Sequence, residues 1–352
     1  IKNYIYNLSY QILAIIVPLI TTPYISKVLH ASGVGDYSYT YTIAYAFSLV
    51  AGLGVNSYGQ REIAYRQDDI KERSIVFFEL CIVRIVTTLI VGILYLGFSI
   101  AYREYTNYLL LQFFVILSVL FDVSWYFQGV EEFQVIAIKN TLFRFVGVII
   151  IFLFVHDENS LLLYIILYSL PIFLGNLTLW PYLKNEILPI KHGHLHLRRH
   201  IKPTFSLFIP QIAIELYTVV DKVMLGGLAS CIEEVSYYEQ AQKIVRVGVR
   251  FLTAFGAVMM SRASNEYAER GDKGLKENLS ISFQFTFFLG FPIMLGLLGI
   301  ASSLVPWFFG SRFAPVTNLI VSMSPAVIMI GLSNIIGTQF LIPTHQHKQY
   351  TI

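Results

Sequence analysis

Stretches of about 20 mostly apolar residues follow one another along nearly the whole chain, at roughly 5–28, 36–58, 75–99, 108–127, 140–155, 161–183, 203–228, 237–262, 279–300 and 315–341. At about 1.5 Å per residue, such stretches suit a hydrocarbon layer of about 30 Å. In lipid every backbone N–H and C=O must be bonded internally, which leaves helices or a closed barrel. No run alternates apolar and polar residues long enough to suggest barrel strands. The expectation is an all-α polytopic membrane protein with about ten transmembrane helices. Composition agrees: 55% of the 352 residues are hydrophobic and 13% charged, and the mean hydropathy is +0.62.

The connections differ in charge. The amino end (Lys2), the connection with Arg61, Arg66, Lys71 and Arg73, the one with Lys139, the one with Lys184, Lys191, Arg198, Arg199 and Lys202, the one with Arg262, Arg270, Lys273 and Lys276, and the tail (Lys348) alternate with a poorer set. That poorer set holds Arg103 and Arg312, with Lys27 at a helix end. Cations concentrate in cytoplasmic connections, so both the amino end and the tail are expected there, which requires an even number of spans. The chain opens IKNY and passes straight into further spans, so a cleaved secretory leader is not expected. Connections are short, leaving no room for a folded extramembrane domain in which to build a catalytic site; no enzyme and no cofactor are expected. The net charge of +3 says little about partners, and no nucleic-acid binding is expected.

Two segments share a pattern. Tyr37 precedes Arg61 as Tyr238 precedes Arg262, and Lys27-Val28 and Lys222-Val223 end the spans before them. The offset of six spans keeps both copies in one orientation, the parallel repeat used by several transporter folds. A complete pair of halves needs about twelve spans, two more than the chain carries. The expected organisation is an N-terminal six-helix bundle over 1–183, a cytoplasmic linker over 184–202 and a C-terminal bundle of about four helices over 203–352.

Charges inside the spans mark the candidate site, because each costs at least a few kcal/mol at bilayer depth and needs a partner or water. In YYEQAQKIVRVGVRFLTAFGAVMM, Glu239, Lys243, Arg246 and Arg250 fall within about 60° of one helix face. Val245, Gly248, Val249 and Leu252 lie opposite, suited to lipid or to helix packing. The preceding span carries Gln211, Glu215, Thr218 and Lys222 on one stripe with Asp221 beside it. Three acids (Glu215, Asp221, Glu239) face four bases (Lys222, Lys243, Arg246, Arg250), so pairing leaves a cation over. Interhelical ion pairs are the plain explanation. A hydrated cavity that receives an anion is the functional one, since guanidinium groups suit phosphate. Glu215, Asp221 and Glu239 are equally candidates for coupling to H⁺ or Na⁺.

In the first half, Arg84 and Asp122 are expected to pair, with Arg144 reaching toward headgroups and Glu79 nearby. Tyr41 and Tyr45, with Asn7 and Gln11, could meet sugar rings, although aromatic helix packing is the commoner use. Pro18, Pro23, Pro210, Pro292 and Pro325 are expected to interrupt helices. The histidines of HGHLHLRRH (His192, His194, His196, His200) read as part of a solvated polybasic connection lying on anionic lipid heads, not as a metal site. Trp125, Tyr126 and Phe127 read as interfacial anchors. Cys81 and Cys231 have neither metal nor redox spacing and read as small apolar fillers.

Several segments, in order, carry a resemblance: YNLSYQILAIIVPLITTPYISKVL, SYGQREIAY, FDVSWYFQGVEEF, LGNLTLWPYLK, FIPQIAIELYTVVDKVMLG, YYEQAQKIV, VPWFFG and GLSNIIGTQFLIPT. Together the chain resembles the Wzx-type flippases of lipid-linked oligosaccharides, the polysaccharide biosynthesis protein family, in a superfamily that also holds multidrug and toxic compound extrusion transporters. The resemblance implies two pseudo-symmetric six-helix bundles around a central cavity, twelve to fourteen helices in all, working by alternating access. It implies transport of an undecaprenyl-diphosphate-linked glycan (O-antigen, capsule or a related surface polysaccharide) from the cytoplasmic to the outer leaflet of the bacterial plasma (inner) membrane. Membrane lipids and other polysaccharide assembly proteins would be its partners. On that reading Arg246, Arg250, Lys243 and Lys222 would neutralise the diphosphate. A cation-coupled multidrug exporter of the same superfamily is the nearest alternative, with acids holding the ligand. A membrane-bound glycan polymerase or transferase is a more distant one.

Overall fold

The computed structural model describes the backbone of residues 2–189, 195–344, 346 and 349, and the side chains of these apart from 2–15, 185, 214 and 216–218. Among the described residues the fold is helical with no strand. The helices are α1 (Lys2–Gly52), α2 (Val55–Ala64), α3 (Ile70–Ala101), α4 (Thr106–Phe121), α5 (Ser124–Gly129), α6 (Phe133–Phe154), α7 (Leu161–Leu177), α8 (Arg198–Leu228), α9 (Glu233–Phe308), α10 (Pro315–Met323) and α11 (Ala326–Asn334), which passes into a π-helical stretch over Ile335–Leu341. Six helical stretches among the described residues are long and apolar enough to cross a membrane.

The two longest helices are each broken once, at His30 in α1 (φ 58°) and at Gly271 in α9 (φ 60°). Both breaks fall where the sequence places connections between spans. The prolines act otherwise than expected. Pro18, Pro23, Pro210 and Pro292 lie inside continuous helices, and of the five only Pro325 stands at a boundary, between α10 and α11. A proline removes a single ladder bond, which a local adjustment of the surrounding helix can absorb. A left-handed φ reverses the chain direction, so the interruptions sit at His30 and Gly271.

The chain forms two compact units, Ile1–Val235 and Ser236–Ile352. The sequence places α8 with the second bundle, whereas here it belongs to the first unit. Val223 and Leu225 of α8 pack on the cluster of Tyr39, Ala44, Tyr95, Leu109 and Ile116. Nearer its start, α8 passes so close to Gly54 that a Cβ there would stand 2.9 Å from the Thr204 carbonyl oxygen and 3.0 Å from the Phe208 nitrogen. Gly54 also has φ 70°, so glycine answers both the close approach and the left-handed turn between α1 and α2.

The end of the first unit that carries Arg61, Arg66, Lys71 and Arg73 is closed by a second cluster: Val55, Tyr58, Ile63, Phe77, Trp125, Tyr126, Phe127, Leu179 and Leu183. Trp125, Tyr126 and Phe127 are at most 1% exposed. They are therefore core residues and not interfacial anchors. The chain leaves helix at Asp122 and re-enters in α5, which folds back on α2 and sets Trp125 and Tyr126 against Phe77 of α3. Trp125 donates to the Asp122 carbonyl (3.1 Å) and Tyr126 to the Glu186 carbonyl (2.9 Å), so both polar tips are satisfied inside. The outward faces of α3 and α6 carry exposed Leu89, Ile90, Ile93, Leu94, Leu142 and Leu153, as a lipid-facing surface requires. In the second unit Val245, Leu252 and Val327 form the buried core, with Phe285, Leu289 and Ile293 packed around them.

Candidate functional site

The charged opening of α9 separates into two faces. Val245 and Leu252 are 3% exposed, and Gly248 lies so near Ile293 that a Cβ would come within 2.7 Å of that side chain. The apolar face is thus used for helix packing inside the second unit. Glu239 and Lys243, four residues apart, form an ion pair at 3.3 Å. Arg246 and Arg250, one and two turns further on, are exposed, and neither makes an ion pair or a side-chain hydrogen bond among the described residues of this unit. Two guanidinium groups stand one helical turn apart, about 5–6 Å between their Cβ atoms. Their forks can take the oxygens of one multiply charged anion.

On α8, Glu215, Asp221 and Lys222 are half-buried and engaged by neighbouring groups. The Thr218 side chain lies outside the described residues, as do the side chains of Asn7 and Gln11. Tyr41 stacks between Tyr37 (5.7 Å between centroids) and Tyr45 (6.2 Å), and meets Tyr168 edge-on at 5.6 Å. Tyr37 also packs on Tyr164 at 4.8 Å. The ladder ties the second half of α1 to α7. Tyr41 and Tyr45 are not fully buried, and each keeps part of its surface open.

The expected Arg84–Asp122 pair is built differently. Arg84, 2% exposed, donates to the backbone carbonyl of Asp122 and to Oδ1 of Asn56 (2.5 Å). Asn56 in turn donates to the Asp122 carboxylate at 3.3 Å, whose other oxygen accepts from the Ser124 amide (3.0 Å) and hydroxyl (2.6 Å). The Asp122 carboxylate is taken by Ser124, the first residue of α5, and among the described residues the guanidinium is linked to it through Asn56. Arg144 is half-buried and engaged.

Sequence reasoning missed Glu79 as a centre. Its carboxylate is fully buried and accepts from the His196 amide (2.5 Å), from Arg199 (2.6 and 3.0 Å) and from His200 Nε2 (2.6 Å). The other ring nitrogen of His200, Nδ1, is hydrogen-bonded with the Tyr58 hydroxyl at 2.9 Å. Nearby, Arg73 pairs with Glu186 at 2.8 Å. The end of the linker is therefore docked into the first unit. His200, 2% exposed, corrects the reading of this stretch as a solvated segment on lipid heads; His192 and His194 lie outside the described residues. The available signal was an acid within an apolar span, which needs a cation, together with a run of bases ending the linker. Cys81 packs beside the same cluster, whereas Cys231 is exposed and is no core filler.

A family model described as polysaccharide biosynthesis protein matches residues 1–264. A "Putative O-antigen transporter" of Shigella dysenteriae is 22% identical over 336 residues, 94% of this chain and 83% of that protein. A protein of the same description from Escherichia coli (strain K12) is 22% identical over 356 residues, with 99% and 84% covered. Among solved structures, an inward-facing conformation of a multidrug resistance MATE family transporter of the MOP superfamily matches with a TM-score of 0.68 at 13% identity, covering 96% of this chain and 86% of that one. An outward-facing conformation of such a transporter gives 0.60 at 14% identity, covering 99% and 82%. At these identities the likeness is one of fold.

Proposed function

The chain belongs to the polysaccharide biosynthesis protein family, and from that premise we propose that it flips undecaprenyl-diphosphate-linked oligosaccharide units across the bacterial plasma membrane, from the cytoplasmic to the outer leaflet, by alternating access. It is a multi-pass membrane protein of the polysaccharide transport type. The lipid carrier, the direction of transport and a cytoplasmic amino end are parts of the proposal.

The observation that carries the reading is the exposed pair Arg246 and Arg250 on a helix whose other face is already buried. Among the described residues of the second unit these two side chains take no ion pair, and Lys243 has already taken Glu239. A diphosphate offers two negatively charged groups to two guanidinium forks one helical turn apart. Lys243 on the same helix, and Lys222 on α8, are further candidate cations for the diphosphate. Tyr41 and Tyr45 would offer ring faces to sugars, Asn7 and Gln11 are further candidates for that contact, and Glu215, Asp221 and Glu239 are candidate acids for a coupling ion. No bond is made or broken. The fold likeness to multidrug transporters does not choose a cargo, and an exposed cation pair disfavours cationic drugs.

Replacing both arginines, Arg246→Gln with Arg250→Gln, in the full-length protein should abolish surface glycan and accumulate lipid-linked oligosaccharide on the cytoplasmic leaflet, at unchanged protein level. Normal surface glycan in a stably expressed double variant would overturn the proposal.

A further inference from the structure

A cavity of about 490 Å³ opens at the cation-rich end of the first unit, among α2, α5, α6 and α7. Its polar lining comes from Gln60, Gln128, Lys139, Asn140 and Asn176, together with Asp122 and the Ser124 bonded to it. Lys139 is half-buried, and among the described residues its side chain makes one hydrogen bond, from Nζ to the neutral Oδ1 of Asn176 at 3.0 Å. Among the described residues, the amides of Gln60, Gln128 and Asn140 have no protein partner. Asp122, the acid in the lining, is already occupied by Ser124 and Asn56 and backed by Arg84. Counting Arg84, Asp122 and Lys139 together leaves the region one positive charge. An ammonium with only an amide to bond, beside three amides with spare donors and acceptors, suits a ligand that brings both an anionic oxygen and several hydroxyls.

The surroundings say what else that ligand carries. Lys139 stands at the foot of a stripe on α6 made by Leu142, Val146, Ile149 and Leu153, at steps of three and four residues. All four are exposed, Leu142 at 57% and Leu153 at 61%. The stripe rises about 20 Å from Lys139, more than the ~15 Å of one leaflet's hydrocarbon. A molecule seated in the cavity would therefore have an apolar track beside its head.

We propose that this cavity is a headgroup site for an anionic lipid with a phosphoryl-polyol head, its phosphate on Lys139, its hydroxyls on Gln60, Gln128 and Asn140, and its chain along α6. Two sources share that chemistry: a bulk phospholipid such as phosphatidylglycerol, and a glycosylated polyprenyl phosphate. The site lies wholly in the first unit and does not involve Arg246 or Arg250.

The test is retention of defined lipids by the purified full-length protein, read by native mass spectrometry. Phosphatidylglycerol should be held about tenfold more tightly than phosphatidylcholine, and Lys139→Gln should erase that preference at unchanged Tm, as loss of one charge-assisted contact implies. Lys139→Arg should keep it. Gln128→Ala with Asn140→Ala should leave the preference for anions but remove that for phosphatidylglycerol over phosphatidic acid. Equal binding of phosphatidylglycerol and phosphatidylcholine, or an undiminished preference in Lys139→Gln, overturns the proposal. Should Lys139→Gln fail to fold, wild-type selectivity in the amide double variant overturns it instead. An undecaprenyl-diphosphate-linked oligosaccharide that displaces phosphatidylglycerol in a Lys139-dependent way identifies the substrate lipid as the occupant; failure to displace identifies the phospholipid.

Discussion

Glu79 and the Arg246/Arg250 pair show two ways in which an apolar chain carries charge. Glu79 is fully buried and accepts four hydrogen bonds from three residues, so its desolvation is offset within the protein. Glu79→Ala leaves Arg199 and His200 without their acceptor and should cost about 3 kcal/mol, because removing one partner strands the others. Thermal unfolding of the purified protein would show this as a lowered Tm; an unchanged Tm would show that the network holds nothing. Lys243→Gln breaks an ion pair between residues four apart and should cost only about 0.3–0.5 kcal/mol, within the scatter of the same measurement. Arg246 and Arg250 have no such role in the second unit, and for that reason their replacement should be felt in transport and not in stability. The sequence singled out both arginines by their shared face. It placed Glu79 only in the neighbourhood of Arg84, because its partners lie more than a hundred residues away across a connection rich in bases.

Helix α9 is decided by the contrast between its faces. Gly248 sits where a side chain would collide with Ile293, between Val245 and Leu252 on the buried stripe. Gly248→Val should cost about 1–3 kcal/mol through overpacking, and it should loosen the presentation of Arg246 and Arg250. Limited proteolysis of the second unit checks the first effect and glycan flipping the second; a fully stable, fully active variant would mean the contact is slack. The periodicity of apolar and charged residues exposed this division in advance, since 3.6 residues per turn fixes which positions share a face. Periodicity could not say whether the apolar face meets lipid or protein. At α5 composition misled: aromatic residues beside a turn serve equally as interfacial anchors and as core, and only the return of the chain onto α2 and α3 selects the core.

At the scale of the molecule, the alternation of basic and base-poor connections predicts which side each faces. Exposed Cys231, in the connection between α8 and α9, should react with a membrane-impermeant maleimide applied from outside the plasma membrane, whereas Cys81, packed beside the buried cluster at 76–83, should not. Labelling of Cys231 only from the cytoplasmic side would invert the proposed topology. Helical class, membrane residence and the positions of most helices follow from the sequence alone, because the hydrocarbon layer forbids an unbonded backbone and so leaves few choices. The positions of His30 and Gly271 between spans were legible for the same reason, although the prolines drew attention elsewhere. Partnership was decided by tertiary structure. That Asn56 mediates between Arg84 and Asp122, that Glu79 takes Arg199 and His200, and that Lys139 faces an amide-lined cavity all depend on residues brought together from distant parts of the chain. Charge and periodicity show that a buried polar group needs a partner, but the choice among partners is made by distances that exist only once the helices are packed.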